Sequence, residues 1–357
     1  MLIYIINFLL LLLYGLFIKN KKAFTIIASI QLFLILALRA PTVGPDLVNY
    51  GEGFEYIAGL SLGDMLSRLH LIETAELVYP FSYESGYVVF NWIIGALGFN
   101  FHGFLIIHAA ICVAVIGRFV YKYSEDVHLS FLLFISLGFY TYLFGILRQM
   151  LAMTLFLLAI PYIKERKLFK YLLLCLLAFT IHRVAIIVVP LYFIYNVKIT
   201  RKRYVKLCLC LAGLLAISPL LAKYVISPIL HLIGKTSYQL HFSLNMYIIL
   251  MLLIAVMILI FASFEELFEE NPENNFLCWA FLLAIAIEIM GLYNDVIARA
   301  MYIPYVAVIA LVPNVLKGYK HTGIAVIGKA LVVVLLFAFM ILQLVSSPIN
   351  PYIFCFA

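Results

Sequence analysis

Arginine, histidine and aspartate recur in this chain at the junctions between apolar runs. Arg148 separates the runs 129–147 and 149–163, while His182 and Arg183 separate 168–181 from 184–197. Asn294, Asp295 and Arg299 lie around the junction of 276–293 and 300–316, and Arg39 follows the run 23–38, with Asp46 and Tyr50 shortly after it. Ionisable residues at membrane depth are costly unless they meet water or a partner, and by default they point to function. A guanidinium fork matches phosphate oxygens, so Arg39, Arg148, Arg183 and Arg299 together suit an anionic group such as a lipid-linked pyrophosphate. Were that group to leave in a reaction, the arginines would steady its developing charge. An attacking hydroxyl then needs a base. Imidazole ionises at about pH 6.5 when unperturbed, which makes His182 the first candidate. Asp46 and Asp295 are alternatives, His102, His231 and His241 are outer-side substitutes, and His108, in mid-run, is expected to be a packed polar residue. The plainer alternative is that Arg39 and Arg299 snorkel and that the aspartates merely neutralise arginines.

The elements that must position these residues follow from composition. The 357 residues are 66% hydrophobic and 11% charged, with a mean hydropathy of +1.13, whereas soluble chains are about 45–50% apolar and about 25% charged. A span needs about 20 apolar residues. The runs 2–18, 23–38, 102–121, 129–147, 149–163, 168–181, 184–197, 204–222, 244–262, 276–293, 300–316 and 322–345 predict an all-α polytopic membrane protein with about twelve transmembrane helices. A thirteenth run, 86–98, is expected to be re-entrant or interfacial. The run 2–18 is expected to be a retained helix rather than a signal peptide, because no basic residue precedes it and no small-residue cleavage site follows it. Residues 1–357 form a single transmembrane domain on this reading.

Putting most of the 24 lysines and arginines inside, by the positive-inside rule, turns the loop 40–85, both termini and all the candidate residues outward. That loop carries Asp46, Glu52, Glu55, Asp64, Glu73, Glu76 and Glu84 against Arg68. Within it Ser61 is a natural N-cap for Leu62, Met65, Leu66 and Leu69, a helical spacing that predicts a short amphipathic helix on the outer surface. The net charge of +7 is spread over short islands, which excludes nucleic-acid binding. No C-x-x-C occurs, and none of the four aspartates is part of a D-x-D, so no metal or cofactor is expected, with Glu52 and Glu55 as the one weak cation-site alternative.

At these residues the sequence resembles the EpsG family of polysaccharide polymerases, a branch of the Wzy-type polymerases. The resemblance is carried by R-x4-G-x-D-x3-Y at Arg39, Gly44, Asp46 and Tyr50, by E-S-G-Y-V-V-F-N from Glu84, by G-I-L-R-Q ending at Gln149, and by I-H-R at His182. Beyond residue 200 only N-D-x3-R-x2-Y, from Asn294 to Tyr302, is similar. A departure is Arg183, where the family pattern leads one to expect an uncharged or aromatic residue. The resemblance implies a GT-C-like fold and a metal-independent glycosyltransferase that joins oligosaccharide repeat units carried on undecaprenyl pyrophosphate. It places the reaction at the outer face of the bacterial cytoplasmic membrane. The implied partners are the lipid-linked donor and acceptor, the bilayer, a chain-length regulator and a flippase. His182, Asp46 and Asp295 are then the catalytic candidates, and Arg39, Tyr50, Arg148, Arg183, Asn294 and Arg299 the substrate-binding ones.

Two other functions compete with this one. A lipid-linked oligosaccharide flippase or transporter would place ionisable groups along a path through the bilayer, and only Glu288 lies deep in a run. A membrane acyltransferase modifying polysaccharide would usually take its donor from the cytoplasmic side, where the loops are basic and hold only His128 and His321.

Overall fold

A computed structural model describes residues 1–69, 75–76, 82–228, 244–271, 273–317, 322–345 and 347–356. Two compact units make up the chain, one of residues 1–189 and 326–357 and the other of residues 190–325.

The first unit begins with α1 (Leu2–Phe17), α2 (Lys21–Ala37), α3 (Leu47–Ala58) and α4 (Leu62–Ser67). A two-residue antiparallel pair, β1 (Ala75–Glu76) with β2 (Ser82–Tyr83), precedes α5 (Ser85–Ala96). Then come α6 (Phe101–Tyr123), α7 (Val127–Ser136), α8 (Phe139–Tyr142), α9 (Leu147–Lys164) and α10 (Leu168–Ile181). Helix starts are set locally, by side chains that satisfy backbone donors lacking a helical partner. Asn20 accepts from Ala23 N at 2.9 Å, Asn100 from Gly103 N at 2.9 Å and Asp126 from Leu129 N at 3.1 Å. Ser61 accepts from Asp64 N at 3.1 Å, so the predicted cap and short helix are present.

A Schellman turn joins α9 to α10. Lys167 N donates to Tyr162 O and Arg166 N to Ile163 O, with Arg166 in the left-handed region at φ 54° where glycine is usual. At this same end of the unit His128 Nε2 lies 3.0 Å from Ile18 O, Lys21 Nζ donates to Ser124 O at 2.6 Å, and Lys329 pairs with Asp126. Helix Val326–Val345 returns to this unit, where Phe337 meets Phe8 and Gln343 donates to Ser136 O. The segment after it runs beside residues 38–40: Ala40 N donates to Ile353 O and Cys355 N to Leu38 O.

In the second unit, Leu191–Ile194 is a short helix and Arg201–Leu221 a long one that runs on into a π turn over Ala222–Ile226. Leu244–Ala262, Phe264–Glu270 and Glu273–Gly291 follow. Asp295–Ala300, Tyr302–Tyr305 and Val308–Lys317 are short.

Among the described residues five helices are long and apolar enough to cross a membrane, or six if the pair Ile297–Tyr305 and Val308–Lys317, bent by 51°, counts as one span. The expectation of about twelve full spans differs because several apolar runs are broken or short. The run 129–147 ends as helix at Ser136, turns at Gly138 (φ 91°) and passes through α8 before α9 starts at Leu147. The run 184–197 is a 3-10 turn over Arg183–Val188 followed by Leu191–Ile194 rather than one α-helix. The run 86–98 is a helix of 12 residues, about 18 Å long.

Candidate active site

Glu84, which the sequence marks as the opening residue of E-S-G-Y-V-V-F-N and as one carboxylate of the loop 40–85, is the centre of the site. It lies immediately before α5, and its carboxylate is 7% exposed. Oε2 accepts from Arg148 Nη1 at 2.6 Å, while Oε1 lies 2.9 Å from His182 Nδ1 and 3.4 Å from Arg183 N. Burial by itself would raise the Glu84 carboxyl. The His182 hydrogen bond and the Arg148 charge outweigh it and hold the group down at about 2.

Close backbone approach makes this convergence possible. A Cβ on Gly86 would stand 2.3 Å from Thr180 Oγ1, so only glycine lets α5 come near enough to α10 for Glu84 to reach His182. A Cβ on Gly44, whose φ is 144°, would stand 2.0 Å from Phe144 O, and across the same contact Gly145 faces Pro45. The loop after Arg39 is thereby seated on the turn that starts α9, next to Arg148. Gly44, Gly86 and Gly145 thus stand within three residues of Asp46, Glu84 and Arg148.

Aromatic residues wall the arginine. Its guanidinium lies 5.1 Å from the Tyr83 ring centre and 6.0 Å from that of Tyr50, and Arg148 Nε donates to Tyr50 Oη at 3.4 Å. The two tyrosines stack at 5.8 Å. The Tyr83 phenol is raised by burial and then by Tyr50, opposed by Arg148, with smaller raising contributions from Asp46 and Glu52. Asp46 stands immediately before α3, the helix that carries Tyr50. Its residue is exposed, in the left-handed region at φ 61°, and its side chain does not cap α3.

The remaining predicted residues divide into three groups. Arg183 is half-buried, and its Nη2 is buried without a hydrogen-bond partner among the described residues. Arg39 is 1% exposed, donates to Leu143 O at 3.0 Å and lies 4.7 Å from the Phe144 ring centre. It therefore braces the turn before α9 from within, where the sequence suggests a phosphate contact. Asn294 and Arg299 belong to the second unit. There Asn294 is buried and accepts from Ile297 N at 3.2 Å, capping the helix Asp295–Ala300, and Arg299 is exposed. The side chain of Asp295, together with His231 and His241, lies outside the described residues.

His108 is fully buried in α6, with Nε2 at 2.9 Å from Leu147 O, which makes it a packed polar residue behind Arg148. Among the described residues, no three His, Cys, Asp or Glu side chains cluster as a metal site.

Chemically, the arrangement can serve as a base with an orienting partner. With the Glu84 carboxylate ionised, His182 Nδ1 donates the proton of their hydrogen bond, and in the neutral form of the ring Nε2 is the acceptor. The sequence profile of the EpsG family matches residues 22–354. Comparison with curated proteins and with solved structures gives no match, so the GT-C relationship rests on the resemblance alone.

Proposed function

The chain belongs to the EpsG family, which is associated with polysaccharide polymerases, and from that premise we propose that it joins oligosaccharide units carried on undecaprenyl pyrophosphate at the outer face of the cytoplasmic membrane. The observation that carries this reading is the 2.9 Å contact between Glu84 Oε1 and His182 Nδ1, which leaves His182 Nε2 to act on substrate. The acceptor hydroxyl oxygen bonds to the donor's anomeric carbon while the bond from that carbon to the pyrophosphate oxygen breaks. The hydroxyl proton passes to His182 Nε2, and the lipid pyrophosphate departs as an anion. Arg183, whose Nη2 has no hydrogen-bond partner among the described residues, and the part of the Arg148 guanidinium not bound to Glu84 meet that anion in place of a divalent metal.

Glu84 acts through His182 and Arg148 and is a positioning residue. A general base contributes about 10² to 10⁴ in rate. Purified protein in excess EDTA is expected to extend a lipid-linked oligosaccharide. Complete loss of extension, restored by Mg²⁺ or Mn²⁺, would refute the arginine-only mechanism and turn attention to Asp46, Glu52 and Glu55.

A second reading has one observation in its favour. Glu288, 1% exposed within the helix Glu273–Gly291, has neither carboxylate oxygen hydrogen-bonded to a described residue, and intramembrane carboxyls mark transport paths. If Glu288→Gln abolishes movement of lipid-linked oligosaccharide across vesicles, and wild-type protein extends no chain in detergent, the transporter reading replaces the enzyme.

A further inference from the structure

The hairpin of α9 and α10 that holds Arg148 and His182 at one end has a second polar feature at the other. There α6, α9 and α10 enclose a cavity of about 340 Å³ lined by Arg118 and Lys122 of α6, Tyr162 and Glu165 at the end of α9, and apolar side chains that include Leu158 and Leu174. Arg118 and Lys122 are four residues apart and so share one helix face. Both are exposed. Arg118 makes no hydrogen bond or ion pair with any described residue, and Lys122 lies over the Tyr123 ring at 5.2 Å. The carboxylate of the lining, Glu165, is taken by Lys167 at 2.6 Å, so the cavity keeps a net positive charge. Lys170 adds to it from over the Tyr162 ring at 5.6 Å.

Depth identifies the occupant's setting. The 18 residues of α9 span about 27 Å, close to the roughly 30 Å of a bilayer's hydrocarbon core. Whichever way the chain is oriented, a cavity at this end lies at the interface of the leaflet opposite Glu84. Basic pockets between membrane helices hold anionic lipid headgroups, and a guanidinium presents a fork matched to phosphate oxygens. The apolar wall suits the start of an acyl chain.

We propose that this cavity seats the phosphate of an anionic glycerophospholipid, held by Arg118 and Lys122 with its chains along α9 and α10. The site is separate from the chemistry proposed at Glu84 and does not depend on it.

Phosphatidylglycerol, phosphatidylcholine or inorganic phosphate is titrated into the detergent-purified full chain, with the unfolding midpoint and retained lipid by native mass spectrometry as readouts. Wild type is expected to show saturable stabilisation with phosphatidylglycerol alone. Arg118→Gln with Lys122→Gln should raise the half-saturating concentration about 30-fold, roughly fivefold for each basic residue at a membrane surface. A control pair, Lys19→Gln with Lys22→Gln, should titrate like wild type. An unchanged titration in the double variant overturns the site. So does equal weakening in the control pair, which would mean diffuse surface attraction, and so does full stabilisation by inorganic phosphate, which would remove the lipid. Should the double variant fail to reach the membrane, Lys122→Gln alone is titrated, and the absence of its fivefold shift overturns the proposal.

Discussion

The turn at Glu84 and the turn at Asn294 both place a polar side chain immediately before a helix, yet the two side chains serve different ends. Asn294 accepts from Ile297 N and so completes its own helix, three residues away in the chain. Glu84 makes no side-chain bond to α5 and instead reaches Arg148 and His182, 64 and 98 residues further on. A polar residue at a helix start is thus a cap where it bonds to its own first turn, and the centre of a site where close packing brings distant side chains to it. The difference lies in the surroundings. Gly86 lets α5 approach α10, and the resulting charged cluster resists disruption, because removing one partner of a buried ion pair costs about 3–5 kcal/mol.

The widest separation between the two turns is expected from His182→Ala. Turnover of lipid-linked oligosaccharide should fall at least 100-fold, the lower bound of general-base assistance, with donor binding kept. Loss of donor affinity at unchanged turnover would move His182 to a binding role, and no change in either would direct the search for the base to Asp46 or Asp295.

Glu84→Gln comes next. The amide keeps the shape but loses the charge that faces Arg148 and orients His182, so turnover is expected to fall by about tenfold to 100-fold, less than for loss of the base itself. A merely structural role would lower expression or the melting temperature and leave the pH profile of turnover in place. A positioning role shifts that profile, and a profile identical to wild type would break the assignment.

Acidification tests the same carboxylate without a change to the chemistry. Its folded-state value is depressed from 4.5 to about 2, so its stabilising contribution is complete above about pH 4.5 and is lost as pH falls toward 2. The melting-temperature advantage of wild type over Glu84→Gln should therefore be level from pH 7 to about 4.5 and shrink below. An advantage that grows on acidification contradicts the ion cluster.

Asn294→Ala should have the smallest effect. Loss of an N-cap costs about 1 kcal/mol, so a small drop in melting temperature is expected with turnover nearly unchanged. A 100-fold loss of turnover would erase the contrast and make Asn294 part of the machinery.

Sequence alone determined what depends on near neighbours. Apolar runs long enough to face lipid mark a helical membrane protein, and Ser61, Asn20 and Asn100 start their helices through bonds to residues three positions on. The motifs that carry the EpsG resemblance are likewise local strings. They include His182 and Arg148, because charge at the junction of two apolar runs is conspicuous in any hydropathy pattern. Glu84 is not conspicuous, as one carboxylate among several in an outer loop, and neither its burial nor its pairing with Arg148 and His182 follows from spacing. Nor does spacing distinguish Arg39, enclosed against Leu143 and Phe144 and flanked by the segment around Ile353, from an arginine open to substrate. The break at residues 137–146 and the 3-10 turn that replaces an α-helix over Arg183–Val188 also escape composition, since broken and continuous helices can be equally apolar. These features were decided by tertiary structure. Burial and ion pairing depend on which segments touch, and here that was set by glycines whose missing side chains let distant backbones come within a few ångströms.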